Sequence, residues 1–534
     1  MSTPTKRVAF HTLGCKLNFS ETATISRDFI RHGFEKVDYR DEADIYVLNT
    51  CSVTENADKE ARKLIRQAKR RNPNSSIAVI GCYAQLKPND IAAIEGVDIV
   101  LGAEEKFNLL NHLDSIDLNI GTKVIQSEID HLHTFTPSYS SGERTRSFLK
   151  VQDGCDYTCS FCTIINVQGH KSRDRSIESI ENIIRFNVKQ GLSSFFISDD
   201  DFARNKNWES ILDKFIELRE VHKLKISFTI QVDTLCHKLP GFIEKSGRAG
   251  VKRAFIGLEN INPDSLLGAS KRQNKITDYR AMLLAWKKVG VITCCGYILG
   301  FPNDTRKSIL QDIEIIKKEL PVDLLEFFYL TPFPGSEDHK KLHTAGVAMD
   351  KDLNMYDANH PVTAHSNMSK ENWEEAFHKA WEAYYTYEHT ETLLKRGMVT
   401  GTSPSKTIGL ITWFKGCVSI EKVHPLEGGF FRRKSRKDRR PTLPIESPFV
   451  FYPKYFSEII WKHFCWILLV IRMRLICKRV RNDPKNREYM DLSLEPVIEN
   501  ETQSLELFQS EAAKKFVEKR HRFEKMRHNV TPTS

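Results

Sequence analysis

Nothing in this 534-residue chain is apolar for long enough to cross a bilayer. The longest uncharged apolar run of its C-terminal part, "FCWILLVI" at 464–471, stops far short of the ~20 residues a spanning helix needs. The N-terminus, "MSTPTKRVAFHTLGC", has no apolar core of signal-peptide length. Integral membrane and secreted classes are thereby set aside, and a cytoplasmic location is the expectation. The 12 cysteines then sit in a reducing compartment, as thiols or metal ligands rather than disulfides. No internal repeat is present, which excludes a solenoid. Hydrophobic residues at 40% and charged residues at 28% describe a globular chain long enough for two or three domains. A formal charge of +10, with a pI near 8.9, favours an anionic partner, either nucleic acid or a membrane surface.

The pattern along the chain divides it. Residues 1–115 alternate short strands with helices: "RVAFHTLGC", "DIYVLNTC" and "SIAVIGC" read as strands, and Ala57–Arg71 as a helix with a basic face. That alternation predicts a doubly wound parallel sheet. Residues 116–146 lose the rhythm and read as a linker. A second alternation over 147–335 supplies six strand–helix units, with strands at Phe148–Gln152, Ser194–Ile197, Ile226–Val232, Arg253–Gly257, Ile292–Ile298 and Leu324–Tyr329. Six units predict a partial (βα)6 barrel. Residues 336–396 read as a helical extension of that barrel, and 397–534 as a helical, basic C-terminal region.

One loop stands out. "CDYTCSFC" places Cys155, Cys159 and Cys162 directly after the first barrel strand, at the strand ends where barrel enzymes hold their chemistry. No fourth cysteine lies beside them. The C-x3-C-x2-C spacing lets one loop wrap three corners of a four-iron cube. A zinc knuckle is the other reading, and it needs a fourth ligand such as His170. Cys15, Cys51 and Cys82 are dispersed in sequence, yet each closes a predicted strand of the first sheet. Ligands bind outside the carboxyl ends of such strands, so three thiols converge there without a local motif. The other reading is three unrelated small core residues.

"CDYTCSFC" resembles the signature of the radical S-adenosylmethionine superfamily. The resemblance implies a 4Fe–4S cluster on Cys155, Cys159 and Cys162, with S-adenosylmethionine as the ligand of the open iron. It implies that Phe161 lies beside the adenine, and that strand-end residues contact the cofactor: Asp199 or Asp200, Glu259, and Gly300 in "GYILGFPNDT". Each acid can equally be a helix cap or a solvated loop residue. "TLGCKLN", "LNTCSVTENADKE", "VIGCYAQLKP" and "RSFLKVQDGCDYTCSFCTI" resemble methylthiotransferases, most nearly the branch acting on threonylcarbamoyl-adenosine at position 37 of tRNA. In that family Cys15, Cys51 and Cys82 would hold a second 4Fe–4S cluster. A one-electron donor such as flavodoxin or ferredoxin and a tRNA partner follow from the same resemblance. No catalytic residue is assigned beyond these ligands. Asn18, Asn49, Thr50 and Ser52 flank them, as sulfur-contacting or turn-forming residues. Arg173 and Arg175 are candidates for substrate phosphate or cofactor carboxylate, or are solvated charges.

Beyond about residue 165, "TIINVQGHKSR", "FFISDDDFARN" and "IGLENINPDSL" are more similar to radical proteins that carry a cobalamin-binding domain. The alternative function is therefore such an enzyme acting on a small or lipid-like substrate, with an accessory iron–sulfur domain. The basic run "RRKSRKDRR" at 432–440 and the basic, apolar segment 455–480 are read as a tRNA contact or a peripheral membrane contact. The remaining cysteines read as packing residues.

Overall fold

The computed structural model describes residues 5–13, 16–50, 55–113, 121–126, 138–140, 146–164, 173–352, 355–429, 434–436, 444–498 and 500–528. Cys15, Cys51, Ser52, His170 and most of the run 432–440 lie outside them.

The first six strands are β1 (Arg7–Thr12), β2 (Glu35–Val37), β3 (Ile45–Thr50), β4 (Ser76–Gly81), β5 (Ile99–Leu101) and β6 (Lys123–Ile125). They form one parallel sheet in the order β2-β1-β3-β4-β5-β6. Its central strands are apolar almost without a break because both faces are covered. Ala9, Tyr46, Leu48, Ile77 and Val79 join one core with Ile65 and Ala68 of the helix Glu55–Arg71. Val8, Ile45, Val47, Ala78 and Ile80 join the opposite core with Ile25 and Phe29 of the helix Lys16–Arg31. The strand order reverses between β1 and β3, and such a switch point opens a crevice at the carboxyl edge. β6 falls inside the stretch 116–146 that reads as a linker. A three-residue "KVI" is too short for a period-2 pattern to reveal, and its pairing with β5 identifies it.

The second sheet runs β14-β13-β12-β11-β10-β7. Its strands are β7 (Ser147–Leu149), β10 (Ser194–Ile197), β11 (Ser227–Val232), β12 (Val251–Glu259), β13 (Ile292–Leu299) and β14 (Leu324–Tyr329). Sequential neighbours throughout are the mark of a (βα)6 partial barrel. Between β7 and β10, β8 (Gln152–Asp153) and β9 (Arg173–Asp174) pair antiparallel. The α/β fold with a doubly wound sheet, a partial barrel and a helical C-terminal region is the one the sequence predicts.

The chain groups into two compact units. The first holds Met1–Asp278, Gly296–Asp304 and Phe328–Glu371; the second holds Tyr279–Cys295, Thr305–Phe327 and Asn372–Ser534. In the first, the helix Lys16–Arg31 meets the barrel through a buried carboxylate: Glu21 pairs with Lys106 at 2.7 Å and with Lys150 at 3.6 Å. In the second, Tyr384 and Tyr385 donate their hydroxyls to the carbonyls of Val322 and Leu325. The segment 370–396 is two helices, Lys370–Tyr384 and Tyr387–Thr400, because Thr386 leaves helical geometry to cap the second. Among the described residues no helix is long and apolar enough to cross a membrane.

Candidate functional site

The three-cysteine loop is clamped at both ends. Gln152 and Asp153 pair with Asp174 and Arg173, which closes its base. Gly154 turns the chain at φ +78°, a conformation glycine adopts without penalty. Ser160 then fastens the middle: its N–H donates to the Ala269 carbonyl, and its hydroxyl to Asp338 at 2.9 Å. Tyr157 donates to Asp233 Oδ2 at 2.5 Å, and Arg204 pairs with the same carboxylate at 2.7 Å. Asp233 follows β11, so the loop is tied to a neighbouring strand end.

Within this frame Cys159 is buried, and Cys155 and Cys162 are half-buried. Burial pushes the Cys155 thiol up to about 12, with Asp201, Asp200 and Cys162 adding to the rise. Burial and then Cys159 and Asp200 push Cys162 up to about 11. Cys155 and Cys162 resist ionisation, and a cationic centre would favour their thiolates. Three sulfurs supplied by one loop fit an iron–sulfur cluster with one open corner.

Lys271 brings a positive charge toward the thiols. It is mostly buried, its side chain 13% exposed, 2.7 Å from Glu259 Oε1, with Nζ 5.6 Å from the Phe161 ring centroid. Burial opposes its charge, but Glu259 and the Cys159 and Cys162 thiols raise its pKa above the ordinary lysine range. Gln273 donates to Cys159 Sγ at 3.5 Å. Glu259 ends β12 in left-handed backbone, φ +64°, which aims its carboxylate at Lys271. A Cβ at Gly257 would lie 2.6 Å from Glu259 Oε1, so glycine there makes room for that carboxylate.

The predicted cofactor residues separate by environment. Phe161 packs against the cluster of Ala269, Ile298 and Phe301. Asp200 is half-exposed and acts electrostatically on Cys155 and Cys162, so it faces the loop. Asp199 is fully buried and accepts from the N–H groups of Val151 and Gln152, which fixes the end of β7. Gly300 turns at φ +100° and gives its N–H to Asp304 at 2.8 Å. Arg175, read as a phosphate or carboxylate contact or a solvated charge, donates to Ser179 at 3.0 Å and to the Lys150 carbonyl at 3.3 Å. It lines a cavity beside Asp28, Arg31 and Tyr139. Arg173 is placed by its backbone pairing in β9, and its side chain lies outside what is described.

At the first sheet, Thr12, Thr50 and Gly81 end the three adjacent parallel strands β1, β3 and β4. In sequence Cys15 follows Thr12 closely, and Cys51 and Cys82 follow Thr50 and Gly81 directly. Asn18, fully buried, joins the three ends. Its Nδ2 donates to the carbonyls of Leu13 (3.2 Å) and Thr50 (3.0 Å), and the Cys82 thiol reaches its Oδ1 at 3.8 Å. Asn49 Nδ2 donates in turn to the Asn18 carbonyl and to Thr22. Lys16, next to Cys15 in sequence, donates to Gln231 of β11 at 2.9 Å, and Gln231 donates to the Asp199 carbonyl. Lys271, Gln273, Tyr157 and Asp233 went unmarked by sequence reasoning. Asp233 alone carried a signal, its place after a barrel strand.

A cysteine loop of this kind at the strand ends of a partial barrel defines a radical S-adenosylmethionine enzyme. Residues 149–316 match the radical SAM superfamily, and residues 7–102 match the uncharacterized protein family UPF0004. The threonylcarbamoyladenosine tRNA methylthiotransferase MtaB of Bacillus subtilis is 30% identical over 354 residues, 62% of this chain and 76% of that protein. The ribosomal protein uS12 methylthiotransferase RimO of Carboxydothermus hydrogenoformans is 23% identical over 318 residues, 58% of this chain and 71% of that protein. The chain belongs to the radical SAM methylthiotransferase family and is an enzyme of that type. In fold it is similar to TsrM, a radical S-adenosylmethionine methyltransferase from Kitasatospora setae, at a TM-score of 0.54 and 13% identity, covering 71% of this chain and 89% of that one. The family implies a 4Fe–4S cluster and S-adenosylmethionine.

Proposed function

We propose that this enzyme inserts a methylthio group into a modified adenosine at position 37 of tRNA. Two 4Fe–4S clusters would serve it, one on Cys155, Cys159 and Cys162, the other on Cys15, Cys51 and Cys82. The observation that carries the reading is the Asn18 knot. One buried amide joins the three strand ends from which the dispersed cysteines follow, an arrangement a lone radical cluster does not require. The relative from Bacillus subtilis, a tRNA methylthiotransferase by name, supports the substrate class.

When bound, the barrel cluster and S-adenosylmethionine would supply a 5′-deoxyadenosyl radical. The chain's own residues orient and insulate that chemistry. Tyr157, Asp233 and Arg204 hold the loop in place. Lys271 offsets negative charge at the thiolates. Asp200 offers a carboxylate to the cofactor's amino group. Phe161 closes the apolar side.

The test is the nucleoside profile of tRNA from a strain lacking the gene. Loss of the methylthio form of the adenosine, restored by the wild-type gene but not by Cys82→Ala, is the expected result. An unchanged tRNA profile with a mass change in a ribosomal protein would move the substrate to protein.

A further inference from the structure

The helix Pro448–Asn482 is apolar on two opposite faces. One face is packed: Trp466, Leu469, Met473, Ile476 and Val480 are buried. Helix Pro404–Gly416 lies so close to it that a Cβ on Gly416 would collide with the Trp466 ring. Trp466 Nε1 donates to Glu421 at 2.9 Å, and Lys462 pairs with the same carboxylate. That contact fixes which face points inward.

The other face is covered by none of the described residues. Phe449, Phe456, Ile460, Ile467, Ile471 and Leu475 recur at intervals of four and seven, one side of a helix. Phe449 is 89% exposed, Ile460 71% and Leu475 62%. Trp461, 65% exposed, stands beside them. The stripe runs about 39 Å at 1.5 Å per residue. Scattered apolar side chains on a surface need no explanation, but a contiguous stripe of this length marks an interaction surface.

The charge around the stripe selects the partner. The helix holds a single acid, Glu458, which is paired with Lys434 and Lys462. Lys454 is exposed on the same helix, with Glu446 at 3.9 Å. Near its C-terminal end the helix borders a groove of about 570 Å³ toward the helix Pro404–Gly416, whose lining includes Trp413, Val470, Arg474, Lys478 and Arg481. Apolar surface bordered by cations complements an amphiphile with an anionic head. Nucleic acid would leave the aliphatic stripe in water. A spanning geometry does not apply, since the helix is not apolar enough to cross.

We infer that the exposed face of Pro448–Asn482 docks this enzyme on an anionic phospholipid surface, with the helix lying in the interface plane. The apolar stripe enters the acyl boundary while Arg474, Lys478 and Arg481 meet lipid phosphates. The packed face stays on the protein, so docking requires no unfolding of the region.

The test uses the full chain with both cysteine triads intact. Vesicles of phosphatidylcholine with phosphatidylglycerol should pull the protein down, and phosphatidylcholine alone should do so about ten-fold less. The Trp fluorescence should shift to the blue on the anionic vesicles, and Trp461→Phe should remove most of that shift. Ile467→Glu with Ile471→Glu should weaken vesicle binding about ten-fold or more. Both side chains are exposed, so circular dichroism and iron content should match the wild type. Failure of the wild type to bind anionic vesicles overturns the inference. So does a stripe variant that binds as before, that turns a dimer into a monomer without vesicle binding in the wild type, or that loses only tRNA affinity.

Discussion

Lys271 and Glu259 form a mostly buried ion pair, 2.7 Å apart, beside the thiols of the cysteine loop. Their side chains are only 13% and 12% exposed, so removing one leaves the other poorly solvated. Lys271→Met should destabilise the protein by about 3–5 kcal/mol, the usual penalty for an orphaned buried charge. Lys271→Met with Glu259→Gln should recover a large part of that loss. Thermal denaturation of the two variants checks this, and equal loss in both would mean that the pair is not coupled.

Asn18 and Gly81 hold the carboxyl edge of the first sheet together. Asn18→Ala removes two donated hydrogen bonds and leaves the Thr50 and Leu13 carbonyls short of a partner, at a cost of about 2 kcal/mol. Gly81→Ala should be worse. Gly81 sits at φ +103°, and an added Cβ would meet Asn49 Oδ1 and lie 2.5 Å from the Thr50 carbonyl oxygen. Iron bound after anaerobic reconstitution should fall toward half in both variants, while release of 5′-deoxyadenosine persists. Unchanged iron in Gly81→Ala would separate this edge from any cluster.

Much of this architecture is legible in the sequence because its strands obey simple rules. "DIYVLN" and "SIAVIG" are uninterrupted apolar runs, as fully buried parallel strands must be, and all six barrel strands lie where the alternation puts them. The cysteine loop is legible because its three cysteines fall within eight residues. Lys271 was hidden among "SKRQNK", since no periodicity separates a buried lysine from a solvated one. Arg175 could be named from its place near a cofactor loop, but its bonds to Ser179 and the Lys150 carbonyl follow from tertiary packing that no local pattern carries. The helix Pro448–Asn482 begins earlier than 455 because Pro448 occupies its first turn, where a missing N–H does no harm.

The two cysteine triads should separate two activities. Replacing Cys155, Cys159 and Cys162 together with Ala should remove all cleavage of S-adenosylmethionine and keep roughly half the iron. Replacing Cys15, Cys51 and Cys82 should leave 5′-deoxyadenosine formation largely intact and abolish sulfur insertion. Iron analysis and product chromatography on the same preparations check both. Loss of cleavage in both triple variants would make the triad of Cys15, Cys51 and Cys82 structural.

Asp304 ties stability to pH. Its carboxylate accepts the N–H groups of Gly300 and Phe301 at 2.8 and 2.9 Å, yet burial outweighs those bonds and pushes it up to about 6. An unfolded aspartate ionises near 4. Between about pH 4 and 6 the folded state therefore binds more protons than the unfolded one, and stability falls as pH rises. The contribution is fully present below pH ~4, is lost by pH ~6, and amounts to about 2–3 kcal/mol. Buried His389 works in the opposite sense: burial holds its pKa well below the ordinary value, so its contribution is lost as pH falls through the acid range. The wild-type profile sums both, and a difference isolates one. Asp304→Asn keeps an acceptor for the turn but cannot titrate. Subtracting its denaturant-unfolding curve from that of the wild type should leave a slope confined to pH ~4–6, with the wild type favoured at the acid end. A flat difference would mean that Asp304 ionises in the folded protein as it does in water.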